Sequence, residues 1–114
     1  MEYVLFAIPI LPGKTDAARE FQHELVTNHL EAYEESQRNV GITKEIWALQ
    51  HTPQGDLFAV YFQSEHMAAS VSKFVASHEP FDLWFKARVK SVSGLDLNVP
   101  PTAPFSELLS VYEA

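Results

Sequence analysis

Residues 42–63, ITKEIWALQHTPQGDLFAVYFQ, decide the fold. Pro53-Gln54-Gly55-Asp56 is turn chemistry, because proline presets its own φ and glycine accepts a positive one. The flanks, Ile42–His51 and Leu57–Gln63, read as two strands, so the segment is a β-hairpin. Successive side chains of a strand point to opposite faces. Glu45, Trp47, Leu49 and His51 share one face of the first strand, and Lys44, Ile46, Ala48 and Gln50 the other. In the second strand Phe58, Val60 and Phe62 oppose Leu57, Ala59 and Tyr61. Apolar side chains occupy both faces, unlike the alternation of a sheet covered on one side.

Toward the N-terminus, Val4–Ile10 is a short apolar run ending at Pro12-Gly13, and its length and β-branching favour a strand buried on both faces. Thr15 to about Arg38 reads as one long helix, capped by Thr15 or Asp16 and striped by Ala18, Phe21, Leu25 and Ala32. Gly41 follows it. Toward the C-terminus, Ser64 can cap a helix whose core face is Met67, Val71, Phe74 and Val75. Pro80 disfavours helix at Glu79, so this helix breaks near His78. Another runs from Phe81 to about Val92 and stops at Gly94. Two segments, Leu95–Val99 and Leu108–Glu113, compete to supply a fourth strand, with Pro100, Pro101 and Pro104 between them.

The order strand, helix, strand, strand, helix, strand is the split βαβ pattern. It predicts an α+β, ferredoxin-like sandwich: an antiparallel sheet with its helices on one face. The second face then lacks a cover within the chain. A second copy of the same sheet is the simplest cover, so a homodimer through the sheet face is expected.

In this layout the chain resembles the dimeric α/β-barrel superfamily. The resemblance rests on Ile8-Pro9-Ile10-Leu11-Pro12-Gly13-Lys14 closing the first strand, Gly41-Ile42-Thr43-Lys44-Glu45 entering the hairpin, and Phe81-Asp82-Leu83-Trp84-Phe85 opening the later helix. It covers roughly residues 2–99. That superfamily includes cofactor-free monooxygenases of antibiotic biosynthesis, haem-degrading enzymes, isomerases and many domains without an assigned role, and this chain is most similar to the last group. The resemblance implies a ligand cavity between the sheet and the helices. The haem-degrading and quinone-forming branches use an asparagine on the first strand, and Tyr3–Ile10 has none.

Composition narrows the function classes. A chain of 114 residues fits one domain over 1–114, with a tail from about residue 100. It has no cysteine, which removes disulfides, thiolate catalysis and cysteine metal sites and fits a cytoplasmic protein. Met1-Glu2-Tyr3 lacks the basic n-region of a signal peptide, and the apolar run behind it is too short to span a bilayer. A formal net charge of -7 repels phosphate backbones and anionic lipids, so neither nucleic acid nor membrane is an expected partner. Lys86, Arg88 and Lys90, the one basic cluster, read as the solvated face of a helix.

Candidate chemistry rests on histidines and aromatic residues. His29 continues the ridge Phe21, Leu25, His29, Tyr33, and a semi-buried histidine can act as a base or hydrogen-bond donor. Trp47 and His51 share a strand face, with Tyr61 on the neighbouring strand, so Trp47 and Tyr61 suggest an aromatic pocket with polar tips. His78 sits at the helix break, and Trp84 would wall the same cavity. His29, His51 and His78 are therefore the candidate catalytic residues, and Tyr33, Trp47, Tyr61 and Trp84 the candidate ligand-binding ones. Glu20-x-x-His23 is half of a di-iron motif whose second half is missing, so it reads as surface, and no metal or cofactor is expected. Phosphate loops and nucleophile elbows are absent. The expected function is small-molecule binding, extending to a cofactor-independent monooxygenase or isomerase. The alternatives are a non-catalytic dimeric sensor or assembly module, and haem binding through one histidine.

Overall fold

The computed structural model describes residues 1–114. Strand β1 spans Glu2–Pro9, helix α1 Thr15–Thr27, helix α2 Leu30–Val40, strand β2 Ile42–Thr52, strand β3 Gly55–Ser64, helix α3 Met67–Ala76 and helix α4 Pro80–Ser93. The fold is α+β: a three-stranded antiparallel sheet in the order β1-β3-β2, with four helices. β3 is central, with Ile8 opposite Phe58 on one side and Leu49 opposite Phe58 on the other.

Register places Val4, Ile8, Phe58 and Val60 beneath the helices, where they are buried with Phe21, Leu25, Phe85 and Val89. The opposite face carries Leu5, Tyr61 and Ile46 in one cross-strand row and Ala7, Ala59 and Ala48 in the next. No helix covers that face, and Leu5 and Ile46 are 49% and 46% exposed.

The expected single helix over 15–38 is two. Thr27 and Asn28 are weak helix formers, and the Thr27 hydroxyl bonds back to the His23 carbonyl at 2.8 Å. The chain bends at Asn28 and His29, and α2 resumes with Tyr33 N–H donating to the His29 carbonyl at 2.8 Å. Thr15 does not cap α1. Its hydroxyl donates to Asp56 at 2.6 Å instead, and tethers the helix to the hairpin turn.

Gly41 ends α2 in the left-handed region at φ 85°, where an added Cβ would stand 3.3 Å from Ser70 Oγ. Gly41→Ala will therefore lower stability by about 1 kcal/mol or more, read by urea denaturation. An unchanged midpoint would show that the α2–β2 corner relaxes freely.

Neither candidate for the fourth strand forms one. Gly94 stops α4 at φ 80°, and Asp96 then accepts the Asn98 N–H at 2.9 Å, a local turn that consumes the first segment. Pro100, Pro101 and Pro104 remove three ladder donors before the second. Residues 95–114 have no regular secondary structure. The tail is held beside β1 by side chains: Leu5 N–H donates to Ser106 Oγ at 2.9 Å, and Tyr3 Oη donates to Glu113 at 3.1 Å.

The basic cluster is not a solvated face. Lys86 is 1% exposed, because α4 turns it inward one turn after Asp82. Its ammonium donates to the carbonyls of Phe74, Val75 and Ser77 at 2.9, 3.1 and 2.9 Å, and so satisfies the open C-terminal end of α3. Buried Asp82 accepts the hydroxyl protons of Ser36 and Ser77. Arg88 makes a bidentate pair with Glu24 at 3.0 and 3.1 Å, and the guanidinium holds Glu24 below the usual carboxylate range. Lys90, at the exposed rim, reaches Asp96 at 3.8 Å.

Candidate functional site

Between the helical face of the sheet, helices α2, α3 and α4, and the tail lies a cavity of about 600 Å³. Val4, Phe6, Trp47 and Phe62 form its floor on the sheet. Tyr33, Ser36, Gln37 and Val40 come from α2, Val71, Phe74 and Val75 from α3, and Phe81 and Phe85 from α4. Residues 95–97 and 99–106 complete it on one side. This volume is in the range of small-molecule sites, and the lining is mainly apolar, as such sites usually are. Phe85 organises the aromatic wall: its ring lies 5.7 Å from Trp47, 5.7 Å from Phe74 and 6.3 Å from Tyr33, centroid to centroid.

One carboxylate breaks the apolar floor. Glu45 sits on the helix-facing side of β2, two residues before Trp47, and accepts a short hydrogen bond from the Tyr33 hydroxyl. Burial raises the Glu45 carboxyl to about 7, against the pull of Tyr33, Trp47 and Gln37 toward the anion. The same burial, with the Glu45 charge beside it, pushes the Tyr33 hydroxyl upward, so Tyr33 stays a donor. The Trp47 indole N–H is buried close enough to Glu45 to favour its anion, but it does not reach hydrogen-bond geometry with that carboxylate or any other acceptor. Glu45 and Asp96 are the charged residues of the lining, which contains no lysine, arginine or histidine.

The structure gathers two of the seven candidate residues, Tyr33 and Trp47, at this cavity. The others lie elsewhere. His29 stands at the α1–α2 bend and stacks on Trp84 at 4.0 Å, so these two satisfy each other outside the cavity. Arg88 lies over the Trp84 ring at 5.5 Å. His51 is exposed at the hairpin end, 2.6 Å from Asp56 through Nδ1. Asp56, bonded to Thr15 and His51, is held below the usual aspartate range and works as a clasp between α1 and the hairpin. His78 is exposed in the link between α3 and α4. Tyr61 pairs with Ile46, not Trp47, so the pleat directs it to the open face, where its hydroxyl donates to Gln63 at 2.9 Å. Glu20 and His23 are exposed on α1.

Glu45 is the residue that attention to histidine passed over. Its signal is nevertheless in the sequence: an acid on the same strand face as Trp47 and Leu49 must be buried, paired or functional.

No helix is long and apolar enough to cross a membrane. Comparison with known proteins finds no matching family model, no matching curated sequence and no matching solved structure.

Proposed function

We propose that this protein binds a small, largely apolar molecule in the cavity, and that Glu45 exchanges a proton with it without a cofactor. The half-buried Glu45–Tyr33 pair on an apolar wall carries this reading. A carboxyl whose pKa lies near 7 is present in both protonation states at neutral pH, which is the condition for efficient general acid–base work. In the isomerase form, Glu45 takes a proton from a carbon beside a ligand carbonyl, the double bond shifts, and the same proton returns to another carbon. In the monooxygenase form dioxygen is the co-reactant. One of its atoms enters the ligand and the other leaves as water, with the electrons coming from the ligand. Haem held through a histidine fits the cavity less well, since none of the chain's five histidines lines it.

β1 and β2 run in the same direction on either side of β3, which supports a ferredoxin-like, split βαβ reading of the fold. The uncovered face supports pairing with a second copy: the Ala7-Ala59-Ala48 row is a shallow trough bordered by Leu5, Tyr61 and Ile46. In the dimeric α/β-barrel form, two such faces meet and the cavities stay on the outer, helical sides.

Native mass spectrometry of protein purified from its own host tests both parts. A dimer carrying an extra small mass is the expected result. A stable monomer would remove the barrel. A dimer whose bound molecule, incubated with the protein in deuterium oxide, exchanges no carbon-bound hydrogen would remove the proton-transfer role and leave the non-catalytic sensor.

A further inference from the structure

The charges and donors of the cavity restrict what it accepts, provided that it is the ligand site proposed above. Glu45 and Asp96 carry the only formal charges of the lining, and both are negative. With no lysine, arginine or histidine to neutralise it, a carboxylate or phosphate entering the cavity would lose its hydration and meet Glu45 in a poorly screened space. Anionic ligands are therefore rejected.

The second restriction comes from Trp47. Its ring is part of the cavity wall, and its indole N–H is buried beside Glu45 without completing a hydrogen bond to it or to any other group. A buried donor without a partner costs free energy that a correctly placed acceptor recovers. The nearby carboxylate already accepts a hydrogen bond from the Tyr33 hydroxyl. A ligand oxygen between Trp47 and Glu45 would receive the indole N–H, and if it carries a hydrogen it would donate that to the carboxylate.

We infer that the ligand is an electrically neutral molecule with a single phenolic, enolic or ketonic oxygen on an otherwise apolar, ring-sized body, the oxygen being received by the Trp47 indole N–H beside Glu45. The rest of the molecule packs against the rings of Phe74, Phe81 and Phe85. Coenzyme thioesters, sugar phosphates and free carboxylic acids fall outside this class. Phenols and enolisable cyclic ketones fall inside it, and these are also molecules from which a carboxylate can take a proton.

The test is isothermal titration calorimetry at pH 8 on the full chain with three probes of one ring size: naphthalene, 2-naphthol and 2-naphthoate. 2-Naphthol is expected to bind about tenfold more tightly than naphthalene, the ratio that one hydrogen bond to an orphaned buried donor supplies. 2-Naphthoate is expected to give no binding heat. Trp47→Phe keeps a ring and removes the N–H, so it should abolish the preference for 2-naphthol while naphthalene still binds. The wild-type chain provides a readout that does not depend on that variant folding. It has two tryptophans, and in a ¹H–¹⁵N spectrum the indole signal of Trp47, assigned with Trp84→Phe, should move with 2-naphthol and not with naphthalene. Equal affinity for naphthalene and 2-naphthol, an unmoved Trp47 signal, or tighter binding of 2-naphthoate would overturn the inference and leave the cavity as a binding site. Failure of all three probes to bind would remove the cavity reading, and this inference with it.

Discussion

Lys86→Met lowers the unfolding free energy by about 3–5 kcal/mol, the range seen when one partner of a buried charged network is removed. Methionine keeps most of the side-chain volume, so the loss is electrostatic and hydrogen-bonding in origin. The carbonyls of Phe74, Val75 and Ser77 lose their donor at the end of α3. Asp82, 3% exposed, keeps its two serine hydroxyls but loses the nearest cation on its own helix. For a domain of this size such a change is a large share of the total stability. Urea denaturation of the variant reads it directly. Adding Asp82→Asn to Lys86→Met should recover part of the loss, because the stranded charge is then gone. A Lys86→Met midpoint within experimental error of wild type would mean that water reaches the α3 terminus and that the network contributes little to stability. Burial pushes the Lys86 ammonium below its ordinary value, and the charges of Asp82 and Asp96 oppose that shift.

Glu45→Gln is expected to change the pH dependence of stability by roughly 3 kcal/mol between pH 4 and pH 8. The Glu45 carboxyl stands at about 7 in the folded chain against an ordinary 4.5. A raised carboxyl favours folding when it is protonated. Its contribution is therefore complete below the ordinary carboxylate range and is lost as pH rises through about 7. Glutamine is never charged and can still accept the Tyr33 hydroxyl proton. The variant should match wild type near pH 4 and exceed it near pH 8. Thermal or urea unfolding at both pH values provides the comparison, and parallel curves would show that Glu45 is solvated when folded. The same substitution should stop deuterium exchange into a bound ketone or phenol while leaving its affinity within a few fold. Lost affinity with retained exchange would transfer the proton-accepting role to another group.

Much of the fold could be read before any coordinates. Pro53-Gln54-Gly55-Asp56 marks the hairpin, Pro80 opens α4, and Gly41 and Gly94 end their helices. These residues act locally, through their own φ preferences, so sequence is enough. What sequence reading missed depends on distant contacts. The bend at Asn28–His29 is reinforced by Trp84, more than fifty residues away, on which His29 stacks. The missing fourth strand reflects a contest between β-propensity and the Asp96–Asn98 turn, which the turn wins. Lys86 looked like surface because lysine usually is, and only the end of α3 arriving above α4 turns it into a cap.

The site divides in the same way. Tyr33 and Trp47 follow from helical and strand periodicity, since both lie on faces that had to meet the core. Tyr61 depended on register, and a pairing of Ile46 rather than Trp47 with it is enough to place it on the far side of the sheet. The histidines attracted attention by chemical type. Yet His29, His51 and His78 each rest on a neighbour or in solvent, and the titratable group on the cavity floor is a glutamate.

The tail that closes the cavity has one further consequence, for how such a protein diverges. Residues 95–97 and 99–106 wall the cavity without belonging to a helix or strand, and hydrogen bonds to Ser106 and Glu113 tie the tail to β1. Lengthening a loop raises its closure entropy only slowly, so insertions and deletions in this stretch cost little stability. Glu45, Tyr33 and Trp47 are carried by α2 and β2 and would keep their places through such changes. Under the proposed function, descendants of this chain would therefore differ first in the size and outline of the molecule they admit, and only much later in the chemistry they perform on it.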